Sequence, residues 1–523
     1  MASQDELLLK HLDNRGVDQS MLMNHPASLF ILFFTEMWER FSYYGMRALL
    51  TVFLVSELTS GGWAWTNEEA LKLYGIYTGL VYLTPLLGGM IADKFTGYRK
   101  AILIGALIMT LGHASMALEG FSQNFFYVGL LFMILGNGMF KPNISSMVGQ
   151  LYPDTSSKKD AGYTIFYMGI NAGAFLGMLL CGYIGEKIGW HYGFGLAGIF
   201  MFFGMLQFYF AQKIFGVIGQ DVNIKEKENA VVEEEVPTAP HIVRDRLIVV
   251  GVLMVASIFF FFAFEQAGGS MTLFAKDYTQ RALTGDSATF FKWVDAILTI
   301  FPIAIVTYVL YGLAKQIYSR YPLTIIFTTV SFIIIWILGV WKVNREFNLE
   351  TTEVTVSWFQ ILNSFFIITL ASSFSKLWEK VWNPSGPVKF AMGLIFVAVG
   401  FFALSYGSLS IPDGAKTASV SMIWLILAYF FHTVGELCLS PVGLSYVSKL
   451  SPKKFVGLLF GLWFTASAIA NFIGSWTGAY IDKISEIYSI STFFIIIAGV
   501  PLFAAVMLLL FNKKLVKMMH GIN

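Results

Sequence analysis

The stretch Glu36-Met37-Trp38-Glu39-Arg40-Phe41-Ser42-Tyr43-Tyr44-Gly45-Met46-Arg47 lies in the middle of a segment, from about Ser28 to Ser56, otherwise built from Phe, Leu, Ile, Val and Met. At 3.6 residues per turn, Glu36, Arg40, Tyr44 and Arg47 stack at spacings of three and four, and Glu39 with Tyr43 fills the same side. A single polar stripe therefore runs along an apolar helix. An ionisable group at the centre of a membrane helix costs roughly 2.5 to 3.5 kcal/mol on insertion scales. Such a stripe is expected to face a protein interior or an aqueous cavity rather than lipid.

Working outward, the whole chain shares this apolar character. Of its 523 residues, 56% are hydrophobic and 13% charged, against about 45–50% and about 25% in ordinary soluble domains. Apolar segments of helix-spanning length recur from end to end, about fourteen in all, centred near residues 42, 82, 109, 138, 173, 203, 261, 303, 332, 367, 397, 433, 469 and 500. The expected fold class is an all-α polytopic membrane protein. Its N-terminus, Met1-Ala2-Ser3-Gln4-Asp5-Glu6, lacks the basic start and apolar core of a signal peptide, so the first span is expected to direct insertion. A net charge of +2 gives no indication of nucleic acid as a partner. Cys181 and Cys438 fall inside spans with no ligand spacing around them, which argues against a structural disulfide and against a metal site. No cofactor is implied.

Loop charge sets the expected orientation. With the N-terminus taken as cytoplasmic, one set of loops collects Lys94, Arg99, Lys100, Lys158, Lys159, Lys315, Arg320, Lys376, Lys380, Lys389, Lys449, Lys453 and Lys454, with Lys513, Lys514 and Lys517 in the tail. The opposite loops hold fewer: Lys72, Lys187, Lys276, Arg281, Lys292, Lys342, Arg345, Lys416 and Lys483. By the positive-inside rule both termini are cytoplasmic. The one long polar segment, about 214–246, carries Lys225-Glu226-Lys227-Glu228, Glu233-Glu234-Glu235 and Pro237-Thr238-Ala239-Pro240. It reads as a cytoplasmic linker following six spans. The expected organisation is an N-terminal six-helix bundle over 1–213, the linker over 214–246, and a C-terminal bundle over 247–523 that includes two extra helices, with the halves related by an axis along the membrane normal.

Three further ionisable groups sit near span centres: Lys141 in Gly136-Asn137-Gly138-Met139-Phe140-Lys141-Pro142-Asn143, Glu265 beside Phe264 and Gln266, and Glu436 in His432-Thr433-Val434-Gly435-Glu436. With the first stripe they give four carboxylates against three cations, which leaves one carboxylate without a fixed cation and makes a proton its natural counter-ion. Cations concentrate in the first half and lone carboxylates in the second, a layout suited to a zwitterion in a cavity between the halves. Structural ion pairs that lock helices together are the alternative for any one of these groups. Tyr43, Tyr44, Tyr82, Asn171, Asn363, Trp463 and Phe464 recur at similar depth.

These residues resemble the proton-dependent oligopeptide transporters of the major facilitator superfamily, prokaryotic type. Glu36-x-x-Glu39-Arg40-Phe41-x-Tyr43-Tyr44-Gly45-Met46-Arg47 is similar to that family's first-helix motif, and Gly88-Gly89-x-x-Ala92-Asp93-x-x-x-Gly97 to its helix 2 to 3 signature. Phe166-Tyr167-x-x-Ile170-Asn171-x-Gly173 resembles its fifth helix, and Gly435-Glu436-Leu437-Cys438-Leu439-Ser440-Pro441-Val442-Gly443 its tenth. The resemblance implies a major facilitator fold of two six-helix bundles plus two helices. It also implies proton coupling through Glu36, Glu39, Arg40, Glu265 and Arg47. Arg40, Lys141 and Tyr44 would receive the peptide carboxylate and Glu436 the peptide amino group, with Tyr43, Tyr82, Asn171, Asn363, Trp463 and Phe464 at pocket positions.

Two departures from the family stand out. Gly75 occupies the place of a second-helix histidine found in animal members, which shifts proton duty onto carboxylates. The extra helix pair, usual between the sixth and seventh helices, is expected after the seventh, at about 289–343, because Trp358-Phe359-Gln360-x-Leu362-Asn363 and Pro387-Val388-Lys389-Phe390 look like helices 8 and 9. Val294-Asp295-Ala296-Ile297-Leu298 carries a fainter likeness to helix 8 and leaves the reverse assignment open. The pair reads as free of charge at mid-membrane and lipid-facing, with a partner or dimer surface as the alternative.

The expected function is import of di- and tripeptides with protons by alternating access across an inner membrane, with membrane lipid as surroundings and the monomer as functional unit. A same-fold carrier of nitrate, a drug-like amine or a conjugated metabolite is the rival. An enzyme is not expected, since the sequence has neither a Gly-x-x-x-x-Gly-Lys-Ser/Thr loop nor paired metal-ligand histidines.

Overall fold

Long runs of Leu, Ile, Phe, Val and Ala leave backbone polar groups no water to bond in a bilayer, so helix is the one local structure that satisfies them within the segment. In the computed structural model, which describes residues 4–153, 156–220, 239–452 and 456–522, this is what the chain does. A helix not anticipated from the sequence, α1 (Gln4–Asn14), precedes α2 (Ala27–Val55), α3 (Asn67–Ile91), α4 (Gly97–Met116), α5 (Gln123–Gln150), α6 (Lys158–Lys187) and α7 (Trp190–Phe210). Beyond residue 238 come α8 (Pro240–Phe264), the short α9 (Ser270–Asp277), α10 (Gly285–Ile317), α11 (Pro322–Phe347), α12 (Val356–Lys376), α13 (Gly386–Gly407), α14 (Met422–Leu450), α15 (Val456–Gly478), the short α16 (Ile481–Ile487) and α17 (Ile490–Met518).

Twelve helical stretches among the described residues have the length and apolarity to cross a membrane, and one of them, Asn67–Met116, contains both α3 and α4. Helix α2 falls outside that set because Glu36, Glu39, Arg40 and Arg47 interrupt it, yet at 29 residues it is long enough to span. The count is then fourteen, as expected. Part of the linker, 221–238, and Lys453 and Lys454 lie outside the described residues. The expected linker end at residue 246 is corrected: Pro240 opens α8 at its first turn, where its missing N–H costs nothing, so Pro240–Arg246 are helical.

Between α3 and α4 the chain passes through one wide turn, Ala92–Thr96, and leaves it at Gly97 with φ +70°, a conformation that a side chain would strain. Two residues on, Arg99 donates from Nε to the carbonyl of Ile218 (2.6 Å) and from its terminal nitrogens to those of Gln212 (3.0 Å) and Gly216 (2.7 Å). The signature Asp93-x-x-x-Gly97 therefore belongs to a corner that ties down the segment after α7.

By contacts the described residues divide into two units, each made of several stretches of chain. Among the described residues, the first unit takes those of Met1–Leu49, Thr84–Val231 and Ala282–Ile361, and the second those of Leu50–Leu83, Val232–Arg281 and Leu362–Asn523. In the first unit α4 packs along α5 and α7, and α6 along α7. Trp38 stacks on Phe200 at 4.8 Å between ring centres and meets Phe332 edge-on at 5.4 Å. In the second, α13 packs along α14 and α17, while α8 touches α13, α14, α15 and α17.

The helix pair expected at about 289–343 is α10 and α11, one turn longer at each end. The pair packs on itself and on α6 and α7, within the first unit. Two-residue strands close its base: Ala282 and Leu283 pair antiparallel with Glu353 and Thr352. The pair has no charged residue at the midpoints of its helices, but it buries charge toward one end. Asp295 and Lys342, each 3% exposed or less, form an ion pair about 10 Å from the middle of their helices at 1.5 Å per residue. Lys342 also donates to Thr299 Oγ1 at 3.1 Å and lies 5.2 Å from the ring centre of Tyr183 on α6. Tyr183 Oη in turn donates to Glu346 at 2.5 Å and accepts from Arg345 at 3.1 Å. The apolar run stops short of Lys292, Lys342 and Arg345, so the sequence alone assigns them to loops. The helices continue past that run, and Asp295 and Thr299 of α10, with Tyr183 of α6, receive Lys342. The opposite face of α10, with Phe290, Phe301 and Tyr308, is exposed and apolar.

Candidate functional site

On α2 the stacked acidic and basic groups neutralise one another. Arg40 Nε donates to Glu36 Oε1 at 2.6 Å and lies 3.0 Å from Glu39 Oε2. All three side chains are buried, at 3% exposure or less. The i,i+4 spacing of Glu36 and Arg40 makes the first contact a property of the helix itself. Glu39 takes its hydrogen bond from α5: Asn137 Nδ2 donates to its Oε1 at 2.7 Å. Lys141, one turn after Asn137, acts electrostatically on Glu39.

Local sequence explains how α5 presents these groups. Pro142 has no N–H to give the carbonyl of Gly138 four residues back. A Cβ on Gly88 of α3 would come within 1.9 Å of that carbonyl oxygen, so α3 and α5 touch backbone to backbone there. Thr84 Oγ1 reinforces the contact by donating to the carbonyl of Ile134 at 3.0 Å. Around Pro142, Asn143 Nδ2 donates to the carbonyl of Met139 at 2.6 Å.

The remaining first-unit candidates spread along α2 and α6. Tyr43 and Tyr44 meet edge-on at 5.0 Å, and the Arg47 guanidinium lies 5.8 Å from the Tyr44 ring centre. Asn171 turns its amide back to its own helix, donating to the carbonyl of Tyr167 at 3.0 Å.

In the second unit the central pair is Asn363 on α12 and Glu436 on α14. Asn363 Nδ2 donates to Glu436 Oε2 at 2.9 Å and to Thr433 Oγ1 at 3.1 Å. Thr433 donates onward to the carbonyl of Tyr429 at 2.8 Å. Glu265 is buried at the point where α8 gives way to the tight turn Glu265–Gly268, and its charge acts on Glu436. Gln266, next along, donates to the carbonyl of Gly474 at 2.6 Å and joins this turn to α15. Trp463 is buried against Gly443 and edge-on to Phe390 at 6.3 Å, whereas its neighbour Phe464 is 37% exposed. Adjacent helical residues point about 100° apart, so one packs while the other projects. Tyr82 on α3 is half-buried.

The structure thus brings Glu36, Glu39 and Arg40 together, and Asn363 with Glu436. Sequence reading missed Asn137 and Thr433, which supply the hydrogen bonds. The available signal for Asn137 was an amide in an apolar span one turn before Lys141, on the same face.

Fourteen membrane-length helices that bury acids and bases with hydrogen-bond partners define a multi-pass membrane protein of the transporter class. The profile of the POT family matches residues 99–234 and 324–496. The chain belongs to the POT family, a family of transporters with the major facilitator fold. It is 32% identical, over all of both chains, to the uncharacterized transporter YclF of Bacillus subtilis. It is 31% identical to the peptide transporter YePEPT of Yersinia enterocolitica, over 90% of each chain. A crystal structure of the peptide transporter POT in complex with sulfate, 29% identical and covered in full on both sides, superposes with a TM-score of 0.75.

Proposed function

We propose that this chain is a symporter that imports di- and tripeptides together with protons by alternating access. The names of its relatives support this reading, and one observation carries it: Arg40 is held by two carboxylates, Glu36 and Glu39, of which Glu39 also accepts from Asn137. While both acids are ionised, their two negative charges match the positive charges of Arg40 and Lys141, and a peptide carboxylate competes poorly for either cation. A proton taken up by either acid removes one negative charge, so Arg40 becomes available to the peptide carboxylate with Lys141 and Tyr44 alongside. Proton and peptide then bind together because each relieves the charge the other leaves uncompensated.

Glu436, oriented by Asn363, takes the peptide ammonium. Glu265 exchanges partners with Arg47 and Lys141 during the transport cycle. Tyr43, Tyr82, Asn171, Asn363, Trp463 and Phe464 shape the space for side chains. The protein sits in the cytoplasmic membrane with both termini inside, as its loop lysines suggest. The monomer is the working unit.

Uptake of a labelled dipeptide into proteoliposomes, with and without an inward proton gradient, tests this. Accumulation that requires the gradient and is blocked by excess tripeptide is expected. Uptake indifferent to the gradient, or blocked by nitrate or an organic amine but not by peptides, would refute it.

A further inference from the structure

Helices α8 and α17 of the second unit form a groove of about 400 Å³. Buried Ala256, Ala504 and Leu508 line its floor, and exposed Val255, Phe503 and Phe511 stand at its sides. The small alanines leave the depression; the aromatics border it. At 1.5 Å per residue, the lining covers about 16 Å of α8, from Ile248 to Phe259, and about 22 Å of α17, from Phe503 to Met518. Half of a hydrocarbon core about 30 Å thick is about 15 Å, so the groove has the depth of one leaflet.

It lies at the end of the bilayer where α8 begins and α17 finishes, and that end is basic. Lys514 lines the groove itself, with exposed Lys513 and Lys517 beside it on α17. Arg244 and Arg246 project from the first two turns of α8. Arg246 donates to the carbonyls of Met519 (3.4 Å) and His520 (3.5 Å), which fastens the two helix ends together and gathers these cations into one patch. Asp245 is the acid among them, and it already pairs with Arg244 and His520.

We propose that this groove is a binding site for one anionic phospholipid. An acyl chain lies over Ala256 and Ala504, and the phosphate meets Lys514. An apolar groove alone accepts any acyl chain, whereas cations at the headgroup level select a negative one. On the orientation given above, the lipid comes from the cytoplasmic leaflet. The site is separate from the groups assigned to peptide and proton, so it stands or falls independently of that reading.

Native mass spectrometry of the full chain, purified with equimolar phosphatidylglycerol and phosphatidylcholine, tests the proposal. One retained phosphatidylglycerol per chain, in roughly tenfold preference over phosphatidylcholine, is expected. Lys514→Glu, a change at an exposed side chain, should abolish the preference. Ala504→Phe, which fills the floor, should reduce retention of both lipids, and Leu510→Trp, on the 72% exposed face beyond the groove, should leave the parent pattern intact. Equal retention of the two lipids by the parent, a preference that survives both Lys514→Glu and Ala504→Phe, or a dimer whose formation excludes lipid would each overturn it.

Discussion

Asn137 and Glu39 lie 98 residues apart in sequence and share a 2.7 Å hydrogen bond from the amide nitrogen to carboxylate Oε1, while the Arg40 Nε lies 3.0 Å from the other oxygen as an ion pair. One oxygen of this buried acid therefore accepts a hydrogen bond from a neutral amide, and the other faces a positive charge whose Nε hydrogen goes to Glu36. Low dielectric strengthens such contacts and penalises their loss. Loss of either contact leaves this acid without one of its two partners.

Removing Asn137 should accordingly impair coupling more than folding. A hydrogen bond to a charged group contributes about 1.5–3 kcal/mol, so Asn137→Ala is expected to slow gradient-driven dipeptide uptake by roughly tenfold or more. Asn137→Asp should do worse, because it sets a like charge beside Glu39. Uptake in proteoliposomes checks both variants, with peptide exchange in the absence of a gradient as the control. Parental uptake in Asn137→Ala would remove the residue from the coupling scheme.

Lys141→Ala and Glu436→Gln are expected to weaken dipeptide binding at least tenfold while leaving the melting midpoint within a few degrees of the parent. A peptide with an acetylated N-terminus separates their roles. In the parent and in Lys141→Ala, acetylation should lower affinity; in Glu436→Gln it should have little further effect, since the paired partner is already gone. Binding measured by calorimetry decides this, and additive losses in Glu436→Gln would contradict the assignment of the ammonium.

The Asp295 and Lys342 pair predicts stability rather than transport. Removing one member of a buried pair leaves an uncompensated charge and costs about 3–5 kcal/mol, whereas replacing both by apolar residues can be neutral. Lys342→Met should lower the melting midpoint by several degrees, and Asp295→Leu with Lys342→Met should recover most of that loss. Thermal unfolding of the two variants in the same detergent gives the comparison.

Asp18 supplies an acid-sensitive contact outside the spans. Its partial burial pushes the carboxyl pKa up, but hydrogen bonds from Ser20 and from Arg320, the latter at 2.8 Å, more than offset this and hold it below the ordinary aspartate value. A folded-state value lower than the unfolded one stabilises above the unfolded value, about 3.9, and the gain disappears as pH falls through the folded value. Asp18→Asn should therefore melt slightly below the parent at neutral pH, by a constant margin down to about pH 4 that closes at lower pH. Because Arg320 is largely exposed, the effect should stay under about 1 kcal/mol. Melting curves across that range test the sign.

Helix length and the placement of Glu36, Glu39 and Arg40 on one face are local: hydrophobic run length and a 3.6-residue period determine them without reference to the rest of the chain. The chain alone therefore determined the spans, the buried stripe and the family likeness. It also exposed Lys141, Glu265 and Glu436 as charges in apolar surroundings. It did not reveal that Asn137 serves Glu39, that Asn363 serves Glu436, or that α6 receives Lys342 through Tyr183.

Those partners are 98, 73 and 159 residues apart, and a period shows which side of a helix is polar without showing what stands opposite. The helix pair at residues 285–347 illustrates the same limit: its apolar run ends before Lys342, and that lysine is received by Asp295 and Thr299 across the pair and by Tyr183 of α6. Tertiary packing decided which polar atoms meet, because an acid or amide in a membrane interior takes the donor that neighbouring helices bring to it.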